Sequence, residues 1–186
     1  MSLLKETKVS SKRIFKGKLL DVRKDEVILP NNNIGHREWI QHPGAACCIP
    51  ILKNNKIIMV KQYRYAVGEE SIELPAGKID INETSQDCAL RELEEETGYR
   101  ANKLTLLTMF YPAIGMANEK IWIYLAQDLE KSKVRLDEDE FVEKVIVDQK
   151  TAIDMVKKGI IKDSKSIIGL IWLDKYLKGE WKPNIT

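Results

Sequence analysis

Apolar residues in the first half of the chain alternate with polar ones or form short continuous runs, as they do in β-strands. Extended segments are predicted over 19–29, 36–42, 45–52, 57–65 and 71–74, with turns rich in Asn, Gly and Pro between most of them. The run AACCIPIL at 45–52 is apolar throughout, which predicts a strand buried on both faces. The first half of the chain is therefore predicted to consist mainly of strands.

The spacing of apolar residues becomes helical at 84–97. Thr84 is predicted to cap this helix in a capping box with Asp87, and Gly98 is predicted to end it in the left-handed conformation. Strands are predicted at 103–111, 120–129 and 141–147, and terminal helices at 149–158 and 164–178, with Asp148 and Asp163 as caps. This order predicts an α+β fold with a mixed sheet covered by helices, unlike the βαβ alternation of a Rossmann fold.

Length and charge narrow the classes of protein further. The chain has 186 residues, 44% of them hydrophobic, enough for one domain with a small appendage. We expect an N-terminal β-strand region at 1–43 and a main domain at 44–186. The 30 basic and 28 acidic residues leave a net charge of +2, which does not indicate a nucleic-acid-binding protein. There is no run of 18 apolar residues, so no membrane span is expected, and the first residues lack the apolar stretch of a secretory signal, so none is expected there.

Cysteine and histidine give no sign of a disulfide framework or of a thiolate metal site. Cys47, Cys48 and Cys88 are an odd set without a CxxC pair, so a reducing, cytoplasmic location is expected. His36 and His42 are expected to be structural or surface residues.

Three glutamates share one face of the helix predicted at 84–97. At about 100° per residue, Glu92, Glu95 and Glu96 fall within an arc of roughly 100°. The adjoining arc is predicted to be core and contains Gln86, Ala89, Leu90, Leu93 and Thr97. Like charges at these spacings repel one another, and Arg91 can pair with only part of them. A solvated acidic surface is one interpretation, and a face that binds a hard divalent cation such as Mg²⁺ is the other.

The residues around this face favour the second interpretation. The stretch 77–99, GKIDINETSQDCALRELEEETGY, fits the pattern G-x5-E-x7-R-E-U-x-E-E-x-G-U, where U is apolar. It resembles the Nudix box, the signature of hydrolases that cleave a nucleoside diphosphate linked to another moiety X. Tyr99 stands where an aliphatic residue is commoner. The resemblance implies a Nudix fold, an α/β/α sandwich with a mixed sheet.

Segments outside the box resemble the ADP-ribose pyrophosphatase branch of the family over most of residues 20–178. These segments are HREWIQHPGAA, KQYRY, ELPAGKID, FYPAIGMANE, LDEDEFVE and GIIKDSKSIIGLIWL. One departure concerns the substrate, because Ile114 stands where this branch usually carries a proline 15 residues after the box.

The resemblance implies a metal site of Mg²⁺, with Mn²⁺ as an alternative, and two or three ions. The implied ligands are the carbonyl of Ala76 and the carboxylates of Glu92 and Glu96, with Glu95 assisting. Arg91 is expected to orient these carboxylates, and Glu83 to brace the loop or a second ion. The general base is expected outside the helix, because metal-bound carboxylates are poor bases. Glu140 is the first candidate and Glu138 the second.

Substrate-binding candidates lie on the strands and on one loop. Arg64 could hold a phosphate in a bidentate manner, and Glu73 could accept from an adenine amine or a ribose hydroxyl. Arg37 and Trp39 lie on a segment that, in this branch, often reaches the nucleotide of the other subunit, where Trp39 could stack on adenine. Met116 either lines the pocket or only packs.

The expected reaction converts ADP-ribose and water to AMP and ribose 5-phosphate, in a homodimer to which the N-terminal region contributes. Three alternatives stay open at this point. The substrate could be another nucleotide sugar such as GDP-mannose, or a dinucleotide, or the chain could be a non-catalytic domain that senses a nucleotide.

Overall fold

The computed structural model describes residues 3–136 and 140–183, which form two compact units. The first unit contains the chain up to Pro43 together with Tyr111–Lys120, and the second contains Gly44–Phe110 and the chain from Ile121 onward. Within the described residues, no helix combines the length and apolar character needed to cross a membrane. The N-terminal region thus forms a unit that also includes a loop from the middle of the chain.

The first unit is built on an antiparallel sheet with strand order β1-β2-β3. Its strands are β1 Thr7–Lys16, β2 Asp21–Ile28 and β3 Ile34–Ile40. The Asp21 carboxylate binds this sheet together, because both Arg13 and Arg23 donate two hydrogen bonds to it. Every residue of β1 is exposed in the single chain.

The second unit contains a mixed sheet with strand order β7-β4-β9-β8 and an antiparallel sheet with order β10-β5-β6. Its strands are β4 Ala45–Pro50, β5 Lys56–Arg64, β6 Glu69–Glu73, β7 Ala76–Lys78, β8 Tyr99–Phe110, β9 Ile121–Lys131 and β10 Val142–Asp148. β4 pairs in parallel with β9, and the other pairs are antiparallel.

Helices cover both faces of the mixed sheet. They are α1 Ser85–Thr97, α2 Gln149–Lys157 and α3 Ser164–Leu177. Successive side chains of β4 point to opposite faces, as the pleat requires. Cys47 and Ile49 belong to the cluster that contains α2 and α3 residues, whereas Ala46 and Cys48 belong to the cluster that contains α1 residues. One apolar strand therefore supplies two cores, as the continuous run at 45–52 predicted.

The α+β prediction with a mixed sheet is confirmed, and so are the N-cap at Thr84 and the left-handed end at Gly98. The second bond of the predicted capping box differs, because the Thr84 hydroxyl donates to Oδ2 of Asp87 at 2.6 Å. The side-chain oxygen of Thr84 accepts from the N–H of Asp87 at 3.1 Å, and Gly98 has a φ of 69°. The predicted core arc of α1 was wrong at Gln86, which is exposed, while Cys88 is buried. The short strand β7 was not predicted.

The two predicted caps of the terminal helices differ. Asp163 caps α3, because its Oδ2 accepts from the N–H of Ser166 at 3.0 Å. Asp148 occupies the N-cap position of α2 but makes no side-chain cap hydrogen bond, so that part of the prediction was wrong.

Asp163→Ala is expected to destabilise the fold by about 1–3 kcal/mol, because one oxygen serves the helix N-terminus, the Ser166 hydroxyl and the Lys165 ammonium. Asp148→Ala is the matched control at the same cap position, with an expected change below about 0.5 kcal/mol. Urea unfolding followed by circular dichroism measures both. Equal losses from the two variants would contradict the cap assignment.

Candidate active site

Two glutamates of α1 are buried against the mixed sheet. Glu92 is 8% exposed and Glu96 is 5% exposed, although both belong to the face that the sequence predicted to be acidic. Leu93, between them in sequence, is fully buried in the core that α1 forms with β4 and β9. The N–H of Ala76 on β7 donates to Oε2 of Glu96 at 3.0 Å. The helix therefore presents two carboxylates to the β7 edge and not to solvent.

A glycine on β7 makes room for one of these carboxylates. A Cβ atom on Gly77 would lie 1.8 Å from Oε1 of Glu92, which is an impossible contact. The carboxylate occupies the volume that any other residue would fill. The first glycine of the pattern thus leaves the space that the Glu92 carboxylate occupies, and a larger residue would displace that carboxylate.

Arg91 connects the glutamates of the pattern to one another. Its Nη1 donates to Glu92 at 2.7 Å and to Glu95 at 3.0 Å. Its Nε and Nη2 donate to the two oxygens of Glu83 at 2.8 and 3.0 Å, and Nη2 also donates to the carbonyl of Lys78 at 3.1 Å. One guanidinium thereby joins α1 to the loop that precedes it.

The buried carboxylates have shifted proton affinities. Burial raises the pKa of Glu92 to about 6, against the opposing effect of Arg91 and with help from the charges of Glu95 and Glu140. Burial and the neighbouring Glu92 raise the pKa of Glu96 to about 8. By contrast, the hydrogen bonds from Arg91 lower the pKa of Glu83. The site thus holds two carboxylates whose negative charge the protein alone compensates only in part.

The donor set fits a hard divalent cation. Mg²⁺ takes oxygen ligands, keeps several waters and is commonly held by one or two carboxylates. Glu92 and Glu96 provide two such groups, and Ala76 lies beside them. Among the residues that the structure describes, no group of three or more His, Cys, Asp or Glu side chains converges on one point. Backbone oxygen, water and substrate would therefore supply most of the remaining ligands.

Of the two candidates for the general base, only Glu140 is among the described residues. The charge of Glu140 acts on both Glu92 and Glu96, where it raises the pKa values, so this residue lies near them. Glu140 also lines a cavity of about 420 Å³ with Tyr63 and Phe141. Glu138 lies outside the described residues.

Glu73 and Arg64 are paired with each other. Nε and Nη2 of Arg64 donate to the two oxygens of Glu73 at 2.7 and 2.6 Å. The Lys165 ammonium of α3 also donates to Glu73, and to Asp163 at 3.0 Å. Glu73 is only 2% exposed, and despite this burial the bonds from Arg64 and Lys165 lower its pKa to about 2. The four side chains form a network of two anions and two cations.

A cavity of about 590 Å³ borders this network. Its charged and aromatic lining consists of Tyr63, Arg64, Tyr65, Glu69, Glu73, Lys162, Asp163 and Lys165. Lys162 pairs with Glu69 at 2.9 Å. The cavity lining therefore includes guanidinium, ammonium and phenol donors beside three carboxylates.

The other substrate-binding candidates lie in the first unit. Arg37 is paired with Glu6, Trp39 is half-buried on β3, and Met116 is 58% exposed. The carbonyl of Met116 accepts from the N–H of Ile40 at 2.8 Å, which ties the loop 111–120 to the end of β3. Arg37, Trp39 and Met116 thus belong to one structural unit.

Sequence reasoning missed Asp163 and Lys165 as parts of this network. A lysine in the first turn of an apolar helix is typical of a surface position, and nothing local indicates its burial. Lys165 is only 8% exposed because Glu73, 92 residues away in sequence, reaches it.

Comparison with known proteins extends the picture. Residues 41–166 match a family model described as the NUDIX domain. Residues 6–40 match a model described as the nucleoside diphosphate sugar hydrolase N-terminal domain.

Relatives are similar over nearly the whole chain. An ADP-ribose pyrophosphatase of Bacillus subtilis is 41% identical, with 93% of this chain and 95% of that protein covered. A methanol dehydrogenase activator of Bacillus methanolicus is 39% identical, with coverages of 92% and 94%. A crystal structure of an ADP compounds hydrolase superposes with a TM-score of 0.86 at 25% identity, covering 97% of this chain and 98% of that one.

Without divalent cations, stability is expected to fall as pH rises. Because the folded state raises the pKa values of Glu92 and Glu96 to about 6 and about 8, it binds protons that the unfolded state has already released. The stabilisation is complete below about pH 4.5 and is lost as pH rises toward 8. In EDTA the melting temperature should therefore be lower at pH 8.5 than at pH 6. Adding Mn²⁺ should raise the melting temperature more at pH 8.5 than at pH 6.

Glu96→Gln should flatten this pH dependence. Glu94→Gln is the control on the same helix, because the Arg100 hydrogen bond lowers the pKa of Glu94. A melting temperature that does not change between the two pH values in EDTA would contradict the assignment.

Proposed function

Because the chain belongs to the NUDIX domain family, we propose that it hydrolyses the pyrophosphate bond of ADP-ribose or a related ADP-sugar, giving AMP and a sugar phosphate. The observation that carries the chemistry is the pair of buried carboxylates, Glu92 and Glu96, on one face of α1. The substrate class is supported by the N-terminal family match and by the similarity to an ADP-ribose pyrophosphatase over nearly the full length.

The reaction is metal-dependent, and Mg²⁺ or Mn²⁺, in two or three ions, suits the oxygen donors. Glu92, Glu96 and the carbonyl of Ala76 would hold the cation, with Glu95 assisting. When bound, it would neutralise the charge of the diphosphate and polarise the P–O bonds. Arg91 keeps Glu92 and Glu95 in place through its hydrogen bonds, and so orients the ligands.

Glu140 acts as the general base and takes a proton from the attacking water. It lies outside the helix that carries the metal ligands, near enough for its charge to act on both of them. A carboxylate that is not committed to a cation is the better proton acceptor. Glu138 is the second candidate.

Arg64 binds a phosphate of the substrate. It uses two of its five N–H donors on Glu73, and its side chain is part of the lining of the cavity of about 590 Å³. Since both oxygens of Glu73 accept from Arg64, with Lys165 adding a further bond, the role that fits Glu73 is to hold this guanidinium in position. An arginine fixed in this way loses less conformational entropy on binding.

The protein acts as a homodimer in which Arg37 and Trp39 of one copy reach the nucleotide of the other, with Met116 beside them. The exposed strand β1 supports this proposal, because it presents apolar side chains to solvent in the single chain. Ile14 is 53% exposed and Phe15 is 55% exposed. Apolar groups clustered at a surface commonly mark an interface.

A cytoplasmic location is supported by the three cysteines, which are all free and buried. Fractionation of cells that express the protein tests this location.

A substrate panel tests the function. Purified protein with Mg²⁺ should release AMP and ribose 5-phosphate from ADP-ribose at a kcat/KM at least tenfold above that for GDP-mannose or a dinucleotide. Product analysis by chromatography measures this. A preference for GDP-mannose or a dinucleotide would show that the substrate class is a different one. If no compound were hydrolysed, the proposed function would be contradicted.

Two variants test the assigned roles in the same assay. Glu96→Gln should abolish most of the activity, because it removes a charged ligand. Glu140→Gln should lower kcat by about 10²–10⁴ with little change in KM. A loss below tenfold in Glu140→Gln would reassign the base.

Light scattering tests the dimer. The mass should be about twice 21.4 kDa, and Ile14→Glu should shift it toward the monomer. Ile160→Glu is the matched control, because Ile160 is 50% exposed but lies after α2. A monomeric wild-type protein at micromolar concentration would end this proposal.

A further inference from the structure

A lysine side chain from the strand β10 contacts the last turn of α1. The helix has no basic residue in this turn, so none of its own side chains complements the negative end of the helix dipole. Lys144 of β10 supplies the charge, because its Nζ donates to the carbonyl oxygen of Thr97 at 3.0 Å. The same ammonium lies 5.0 Å from the centroid of the Tyr99 ring, within the range of a cation–π contact.

The chain that precedes Glu140 is tied to the same turn. The N–H of Ser132 donates to the carbonyl of the C-cap glycine at 2.8 Å, and the N–H of Arg135 donates to the carbonyl of Glu95 at 3.1 Å. The Ser132 hydroxyl also donates to the Glu94 carboxylate at 2.6 Å. The described segments on both sides of Glu140 therefore bind to one helix end.

Lys144 lies near the start of β10, on the strand face that points away from the core. Val145 and Val147 pack against the core, so Val142 and Lys144 lie on the opposite face of the strand. β10 begins at Val142, two residues after Glu140. A bond from Lys144 to α1 therefore fixes the start of the strand relative to the helix that bears the metal ligands.

We propose that Lys144 is a positioning residue for the hydrolysis, which acts by holding the start of β10, and with it Glu140, against the end of α1. This inference rests on the proposed function and on Glu140 as the base. Lys144 does not contact the substrate in this scheme. Tyr99, the departure from the aliphatic residue usual in the pattern, then serves as a second contact for the same ammonium.

Lys144→Met removes the charge and keeps most of the aliphatic chain. It should lower kcat for the substrate identified by the panel by about 10- to 50-fold, because a small displacement of a catalytic group is costly. The KM should change less than threefold. Lys144→Arg, which can still donate to Thr97 and contact Tyr99, should restore kcat to within about threefold of wild type. Lys150→Met, at an exposed lysine of α2, is the control and should leave kcat unchanged.

A double-variant cycle distinguishes positioning from general destabilisation. If Lys144 acts through Glu140, then adding Lys144→Met to the Glu140→Gln variant should lower its kcat less than twofold. The reason is that the group that Lys144 positions is already disabled in that variant. Equal factors in the two backgrounds would overturn the inference, and so would a Lys144→Met variant with wild-type kcat. Melting curves establish that each variant is folded, and Lys144→Gln replaces Lys144→Met if the latter does not fold.

The same experiment separates this inference from the proposed function. Wild-type protein that is inert toward the whole panel would remove both. Active wild-type protein whose Glu140→Gln variant loses less than tenfold would remove the base assignment and the positioning role, while hydrolysis itself stands.

Discussion

The burial of negative charge at one edge of a sheet is the constraint on which the site depends. Glu92 and Glu96 are almost removed from water, and a buried carboxylate is stable only when it is protonated, paired or bound to a cation. Arg91 shares its donors among Glu83, Glu92 and Glu95, and so it cannot neutralise them all. The charge that remains uncompensated is the basis on which a divalent cation is proposed to bind here.

Two kinds of scaffold hold the functional groups. The carboxylates project from one turn of a helix fixed at both ends by its caps, whereas Arg64 projects from a strand and is held by Glu73 and, behind it, Lys165. The first scaffold is formed by residues that are neighbours in the sequence, whereas the second depends on a contact between residues 92 positions apart. The proposed catalytic centre therefore combines a short-range part, set by α1, with a long-range part that depends on how α3 packs.

This division explains how much could be predicted from the sequence. The start and end of α1 were predicted because Thr84 and Gly98 are local signals, and the spacing of the glutamates indicated the chemistry once the family pattern was matched. The strand β7 and the burial of Lys165 could not be predicted, because each depends on partners distant in sequence. Asp148 shows that a local signal can also mislead, since this favourable cap residue occupies the N-cap position but makes no side-chain cap hydrogen bond.

The adjacent thiols of β4 have a practical consequence. Cys47 and Cys48 face opposite cores, both fully excluded from solvent, and burial raises the pKa of Cys47 to about 12 and that of Cys48 as well. Thiolate is the species that reacts with alkylating reagents, so neither sulfur is available while the sheet is intact. The chain thus carries an intrinsic reporter on each side of its central strand, and the rate at which each becomes modified measures how often that layer opens.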